Sequence, residues 1–393
     1  MKSHKISRAS IRGLLLPFFI SASTPSVADE GDFLEDLIAS PGPEIDTLDE
    51  GPSLTYSGTF SVDGDLLIGD EIRIDRYSAD FSLEIEDTTL SLGYQRVQYD
   101  IDVSGEGLFD SQVSEFSNSA SFGIAQKWSE AFSTSLTLSG YTGFTNFRSI
   151  WIAESFEQRF GSILGFQEPD PFGFSVSLSN TYSLPNEVDS ITFDLGYSRD
   201  RISPGQSPES LPVFPFRGVE VADDTLDTIT SSITGNFYIT NLITTQLVAR
   251  VNFVSDREVR TQLRAKAAWN PINRLTFRGE FGATIEQPEF QAFFGGLSIN
   301  YQILDQLTFS AGYRVYGDTG EITTSNFNSA APDLDTRETS ASLLWSNGIH
   351  SLSASVAFFE TDFGEVSFVN QQFADLFSDR DFFAIRAAYS YQF

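Results

Sequence analysis

The chain has no cysteine and only two histidines, His4 and His350, in 393 residues. Without thiols there is no disulfide framework, no thiolate metal site and no cysteine nucleophile. His4 lies in a basic N-terminal stretch and His350 at an expected turn, so neither is placed to serve as the general base of a hydrolytic site. These absences argue against an enzyme and against a bound metal or other cofactor. Basic residues are scarce as well: 24 Lys and Arg stand against 54 Asp and Glu, a formal net charge of −30. A nucleic-acid partner requires a basic footprint, and this balance excludes one. Long apolar runs are also missing, so no membrane-spanning helix of about twenty residues is encoded.

What is present begins with a leader. Lys2, Lys5, Arg8 and Arg12 precede a short apolar core, Gly13 to Ala22, and Ser26-Val27-Ala28 fits the small-x-small cleavage rule. Residues 1–28 are therefore expected to be a signal peptide, because the core is too short for an anchor and contains Pro17. Its loss leaves 20 Lys and Arg and a net charge near −34. Residues 29–53 are acidic and punctuated by Pro and Gly, which predicts an extended lead-in. Their one apolar patch, Phe33-Leu34 with Leu37-Ile38, alternatively forms a helical turn that plugs a lumen.

From Leu54 to Phe393 the hydrophobic pattern has period two, the signature of half-buried strands. About sixteen runs can be traced, from Leu54–Val62 and Tyr77–Ile85 to Leu352–Glu360 and the terminal stretch. Short turns such as Glu86-Asp87-Thr88, Thr240-Asn241 and Leu304-Asp305-Gln306 alternate with longer, acidic or Pro-rich connections. The longer set comprises Asp63–Arg76, Ile101–Glu115, Asn146–Gly173, Asp200–Asp227, Gly317–Thr336 and Thr361–Arg380, while connections near Asp256 and Glu286 are short. A closed all-β barrel is the one strand architecture that satisfies every backbone group in lipid. Trp128, Trp269, Trp345 and Phe393 at strand ends suit an interfacial aromatic girdle.

The terminal stretch, DFFAIRAAYSYQF, sets Phe383, Ile385, Ala387, Tyr389, Tyr391 and Phe393 on one parity. Ala384, Arg386, Ala388, Ser390 and Gln392 occupy the other, with Phe382 a misfit. This segment resembles the C-terminal strand of Gram-negative outer-membrane β-barrels, which typically ends in Phe. The resemblance implies a transmembrane antiparallel barrel over residues 54–393 in the cell outer membrane, surrounded by its lipid, with short periplasmic turns and longer outer loops. It also implies that Tyr389, Tyr391 and Phe393 form a signal for the barrel-assembly machinery.

Two constellations then bear on function. Placing the apolar parity outward leaves Arg250, Arg260, Arg264, Lys266, Arg278 and Glu280 facing a lumen on neighbouring strands, with Arg314 and Arg386 repeating the pattern. Arg or Lys on the lipid face would cost about 2–4 kcal/mol at the bilayer midplane. This set either lines a pore and biases what passes, or is an ordinary polar lumen whose arginines pair with carboxylates. The connection Asn146–Gly173 mixes Glu154, Glu157, Glu168 and Asp170 with Trp151, Phe156, Phe160 and Phe166, an apolar loop suited to folding inward. In this the chain looks like the general porins, sixteen-stranded barrels whose third outer loop folds into the pore. By that resemblance the four acids would form a constriction opposite the basic wall. The porin Pro-Glu-Phe has no counterpart in that loop; Pro288-Glu289-Phe290 sits in another connection. The acidic stretch Asp63, Asp65, Asp70, Glu71 and Asp75 reads first as a solvated face and second as a Ca²⁺ or Mg²⁺ site. The expected activity is passive passage of ions and small polar solutes. A channel for hydrophobic or aromatic compounds and a non-conducting structural or adhesion barrel are the alternatives, and both a monomer and a homotrimer stay open.

Overall fold

Alternation along the chain becomes a closed sheet in the computed structural model, which describes residues 56–103, 111–143, 150, 171–185, 189–201, 225–240, 242–255, 259–286, 290–320, 333–364 and 378–393. The leader, the lead-in 29–53 and its apolar patch lie outside the described residues. Among the described residues there are sixteen strands: β1 (Tyr56–Ile68), β2 (Ile72–Ile85), β3 (Thr88–Val103), β4 (Ser111–Ser129), β5 (Phe132–Thr142), β6 (Phe172–Ser183), β7 (Ser190–Arg201) and β8 (Thr225–Thr240). The second half comprises β9 (Ile243–Val254), β10 (Arg260–Ile272), β11 (Leu275–Glu286), β12 (Phe290–Leu304), β13 (Leu307–Asp318), β14 (Leu334–Ser346), β15 (His350–Phe363) and β16 (Arg380–Gln392). Each strand pairs antiparallel with its sequence neighbours, and β16 returns to pair with β1. Closure leaves no edge strand, which is the condition for a sheet to stand in hydrocarbon.

One strand shows why this sequence folds this way. Along β15 the residues Leu352, Val356 and Phe358 are exposed, while Ser353, Ser355, Ala357 and Phe359 between them are buried. Successive side chains of a strand point to opposite faces, so this alternation puts an apolar surface outside and a mostly hydroxylic one inside. The same outward surface continues through Leu247, Leu263, Phe281, Leu297, Tyr313 and Ile385, all exposed. Large exposed apolar residues in such number are unfavourable in water and favourable against lipid. Trp128, Trp269, Trp345 and Phe393 are exposed at the short-turn end, as the girdle reading expects.

The seam is reinforced beyond its ladder. Gly58 and Phe393 exchange backbone hydrogen bonds of 2.8 and 2.9 Å. The Phe393 ring fills the space that a side chain on Gly58 would need, and it stacks on Phe81 at 6.3 Å and on Tyr391 at 6.0 Å. Phe393 thereby covers a glycine of the joint, where an aromatic ring compensates the missing side chain.

The first connection differs from expectation. β1 continues to Ile68 and β2 starts at Ile72, so the expected outer loop Asp63–Arg76 is strand except for Gly69, Asp70 and Glu71. Acids and arginines on facing strands explain it. Asp65 is 3.7 Å from Arg76, Asp63 is 3.5 Å from Arg386, and the Ser78 hydroxyl donates to Asp63. Acids that looked like loop residues are therefore half of a cross-strand pairing pattern. The contrast between long outer and short inner connections is correspondingly weaker, since three of the eight outer ones are short. The other long connections remain; four are trimmed at both ends by extended strands, whereas β5 stops at Thr142, ahead of Asn146.

Candidate functional site

The lumen face is best followed along the row of directly opposed residues that crosses the strands. It runs Ser190, Asn236, Gln246, Lys266, Glu280, Gly296, Arg314, Glu338, Phe359, Phe382 from β7 to β16. Residues opposed in an antiparallel pair share a face, so these ten line one side of the sheet. The Gln246 amide donates to Asn236 at 3.0 Å and the Asn236 amide to Ser190 at 3.1 Å. The row thus passes from amides and hydroxyls through charges to aromatic rings.

At its centre is a charge ladder. Arg264 Nη2 lies 2.9 Å from Glu280 Oε2, Arg314 Nε lies 3.0 Å from Glu280 Oε1, and Arg314 Nη1 lies 3.8 Å from Glu338. These four side chains are only 1–6% exposed. Arg314 reaches Glu280 across β12, and the residue it passes over is Gly296. A Cβ there would meet Arg314 Cγ at 2.9 Å and Glu280 Oε1 at 3.3 Å, so glycine supplies the clearance. Beside the ladder, Arg260 pairs with Glu286 at 2.7 Å and stacks on Phe290 at 4.5 Å, and Arg264 lies 6.0 Å from the Phe294 ring centre. Each buried cation has an anion from an adjacent element, which is the condition for keeping both out of water.

The lumen-facing set expected from parity is brought together on β9 to β13. Arg250 donates to Gln262 at 3.3 Å, Lys266 opposes Glu280, and Arg278 lies 3.3 Å from the Asn300 side-chain oxygen once that amide is turned. Arg386 is the exception; it belongs with Asp63 at the β1–β16 seam. The stripe is interleaved with carboxylates of the strands themselves, so it is not an uncompensated cationic wall. The constriction acids Glu154, Glu157, Glu168 and Asp170 lie outside the described residues; Ile150, described in that connection, is fully buried. The acidic stretch at β1 and β2 is dispersed. Asp75 pairs with Arg73 at 2.9 Å and Glu71 with Arg380 at 2.8 Å, and no group of three metal-ligating side chains forms among the described residues.

Three features escaped sequence reasoning. Glu338 and Glu286, the anions of the ladder and of Arg260, are recognisable only once register brings their strands alongside the arginines. The second feature is apolar: Ile72, Ile74, Val97, Tyr99 and Ile101 on β2 and β3 and Val113 on β4 are buried on the lumen side. Ile72 and Ile74 occupy a stretch expected to be loop, which hid their parity. The third is Phe382. Its misfit on the polar parity was the one signal in the sequence, and it sits in the lumen row opposite Phe359, over Gly69.

No family model matches this chain, and no curated protein shows similarity to it. Solved structures do. The monoaromatic hydrocarbon channel CymD is 10% identical with TM-score 0.44, over 86% of this chain and 88% of that one. A bacterial polysaccharide outer-membrane secretin is 8% identical with TM-score 0.48, over 86% and 98%. CdiB from Acinetobacter baumannii is 9% identical with TM-score 0.50, over 85% of this chain and 60% of that chain. At these identities the likeness concerns architecture: the chain has the fold of bacterial outer-membrane β-barrels.

Proposed function

We propose that this protein is an outer-membrane channel that passes small solutes by diffusion and is not an enzyme. The observation that carries the reading is the closed wall of sixteen strands with an apolar outer face and an inner face of hydroxyls, amides and charges. Sixteen strands enclose a lumen wider than side chains alone would fill. The wall holds fixed dipoles and charges along which a polar solute can exchange its water hydrogen bonds. Tyr389, Tyr391 and Phe393 serve assembly by presenting an aromatic terminal strand, and the long connections face outward.

The charge pairing refines the expected selectivity. Arg264 and Arg314 are matched by Glu280 and Glu338 and Arg260 by Glu286, so this ladder contributes little net field and ion discrimination is weak. Aqueous passage is therefore only one half of the reading. The buried isoleucines and valines of β2 to β4 and the rings of Phe359 and Phe382 favour a second one, passage of compounds with apolar bodies. A non-conducting structural barrel is the rival outside transport. Planar-bilayer recording of the refolded mature chain under a salt gradient separates them: stepwise conductance with a reversal potential near zero supports the channel, and silence from a folded barrel sinks it.

A further inference from the structure

We infer that the lumen wall of β13 to β16 carries a binding subsite for a small neutral solute that has an apolar body and one hydrogen-bonding group. The inference rests on the channel reading and specifies its solute class. Thr336 and Thr361 stand directly opposite each other on β14 and β15. The two residues are 0% and 1% exposed, and neither Oγ1 has a hydrogen-bond partner. A buried hydroxyl left unpaired is a cost to the fold that valine, of nearly the same shape, would avoid. A solute that donates to or accepts from these oxygens recovers that cost, and this makes the hydroxyls a recognition element.

The neighbours define the rest of the solute. Tyr316 opposes Thr336, and Leu334 and Phe359 flank the two threonines on the same face, with Phe382 opposite Phe359. All four are buried, and three rings beside a hydroxyl pair suit an aromatic or short aliphatic body. The cations within reach are already matched. Arg314 is held between Glu280 and Glu338, and Arg380, opposite Thr361, is 2.8 Å from Glu71. A charged solute would have to compete with those pairs and bring an uncompensated charge into a buried wall. A neutral alcohol, phenol or ketone does neither.

The test is calorimetric titration of the refolded mature protein in detergent micelles, with empty micelles subtracted and folding verified by the gel shift between unheated and boiled samples. Benzyl alcohol is the probe, with toluene, glycerol and benzoate as comparisons. Saturable binding of benzyl alcohol, several-fold tighter than any of the other three, is expected. Thr336→Val with Thr361→Val should weaken benzyl alcohol by about five- to tenfold and leave toluene unchanged, whereas Phe359→Ala should weaken both. Wild-type preference for toluene or benzoate, or a double valine variant that binds benzyl alcohol as tightly as wild type, overturns the subsite. The two ideas fail separately. A barrel that conducts without saturable benzyl alcohol binding loses the subsite alone, and one that binds but never conducts loses the channel alone.

Discussion

Glu280 is the residue on which the lumen wall turns. It is shared by Arg264 and Arg314 and is 3% exposed, so replacing it by an isosteric amide removes the carboxylate common to two buried guanidinium groups and leaves Arg314 the more distant Glu338 at 3.8 Å. Removing one partner of a buried ionic cluster costs about 3–5 kcal/mol. Glu280→Gln is accordingly expected to lower the urea midpoint of the refolded barrel markedly and to move the reversal potential toward anion preference. An unchanged midpoint with unchanged selectivity would show that the ladder carries neither stability nor field. Gly296→Val tests the same contact from beneath: a branched side chain blocks the crossing of Arg314, and the variant should resemble Glu280→Gln in selectivity. The arginines themselves could be read from parity alone, because a cation on the lipid face is so costly that only the inward assignment survives. Of their anions only Glu280 shares that legible parity; Glu286 and Glu338 could not be recognised. Which carboxylate answers an arginine depends on inter-strand register, and no local pattern on β11 or β14 encodes that.

Elements were more legible than contacts. All sixteen strands follow from period-two runs, since a barrel repeats the same hydrophobic demand on every strand. Boundaries were misjudged where polar residues belong to the ladder. On β1 and β2, Asp63, Asp65 and Arg76 look like loop until the cross-strand pairs with Arg386 and with each other are seen. Exposed surface and closure give two predictions here. Leu263 lies in the outward face of β10 and is 58% exposed, so Leu263→Arg should cost about 2–4 kcal/mol in bilayer refolding. Leu263→Phe should cost little, which a lipid-facing position requires. At the seam, removal of Phe393 uncovers Gly58 and deletes the two closing hydrogen bonds. The truncated chain should yield a smaller heat-modifiable fraction than wild type under identical refolding, while Gln392→Ala, one residue earlier, should not.

At the scale of the whole molecule, the lumen is a composite rather than a uniform aqueous bore. Apolar side chains of β2 to β4, a compensated charge ladder on β10 to β14, and amides and hydroxyls on β7 to β9 share one inner surface. The sequence already contained each part, yet their arrangement depends on closure of β16 against β1, the longest-range contact in the chain. Net charge said even less: −30 for the full chain is spread over strands and connections, whereas Arg260, Arg264 and Arg314 on the described wall are matched locally by Glu286, Glu280 and Glu338. A channel of this build is expected to be open to solutes and to discriminate weakly by charge.

Both are read by single-channel recording of the refolded mature protein in a planar bilayer with a salt gradient, preceded by the gel shift that certifies a folded barrel. Discrete conductance steps with a reversal potential close to zero, displaced toward anion preference by Glu280→Gln, are the predicted result. Folded protein that inserts and gives no steps would contradict the channel itself, and strong anion selectivity in the wild type would contradict the compensated lumen.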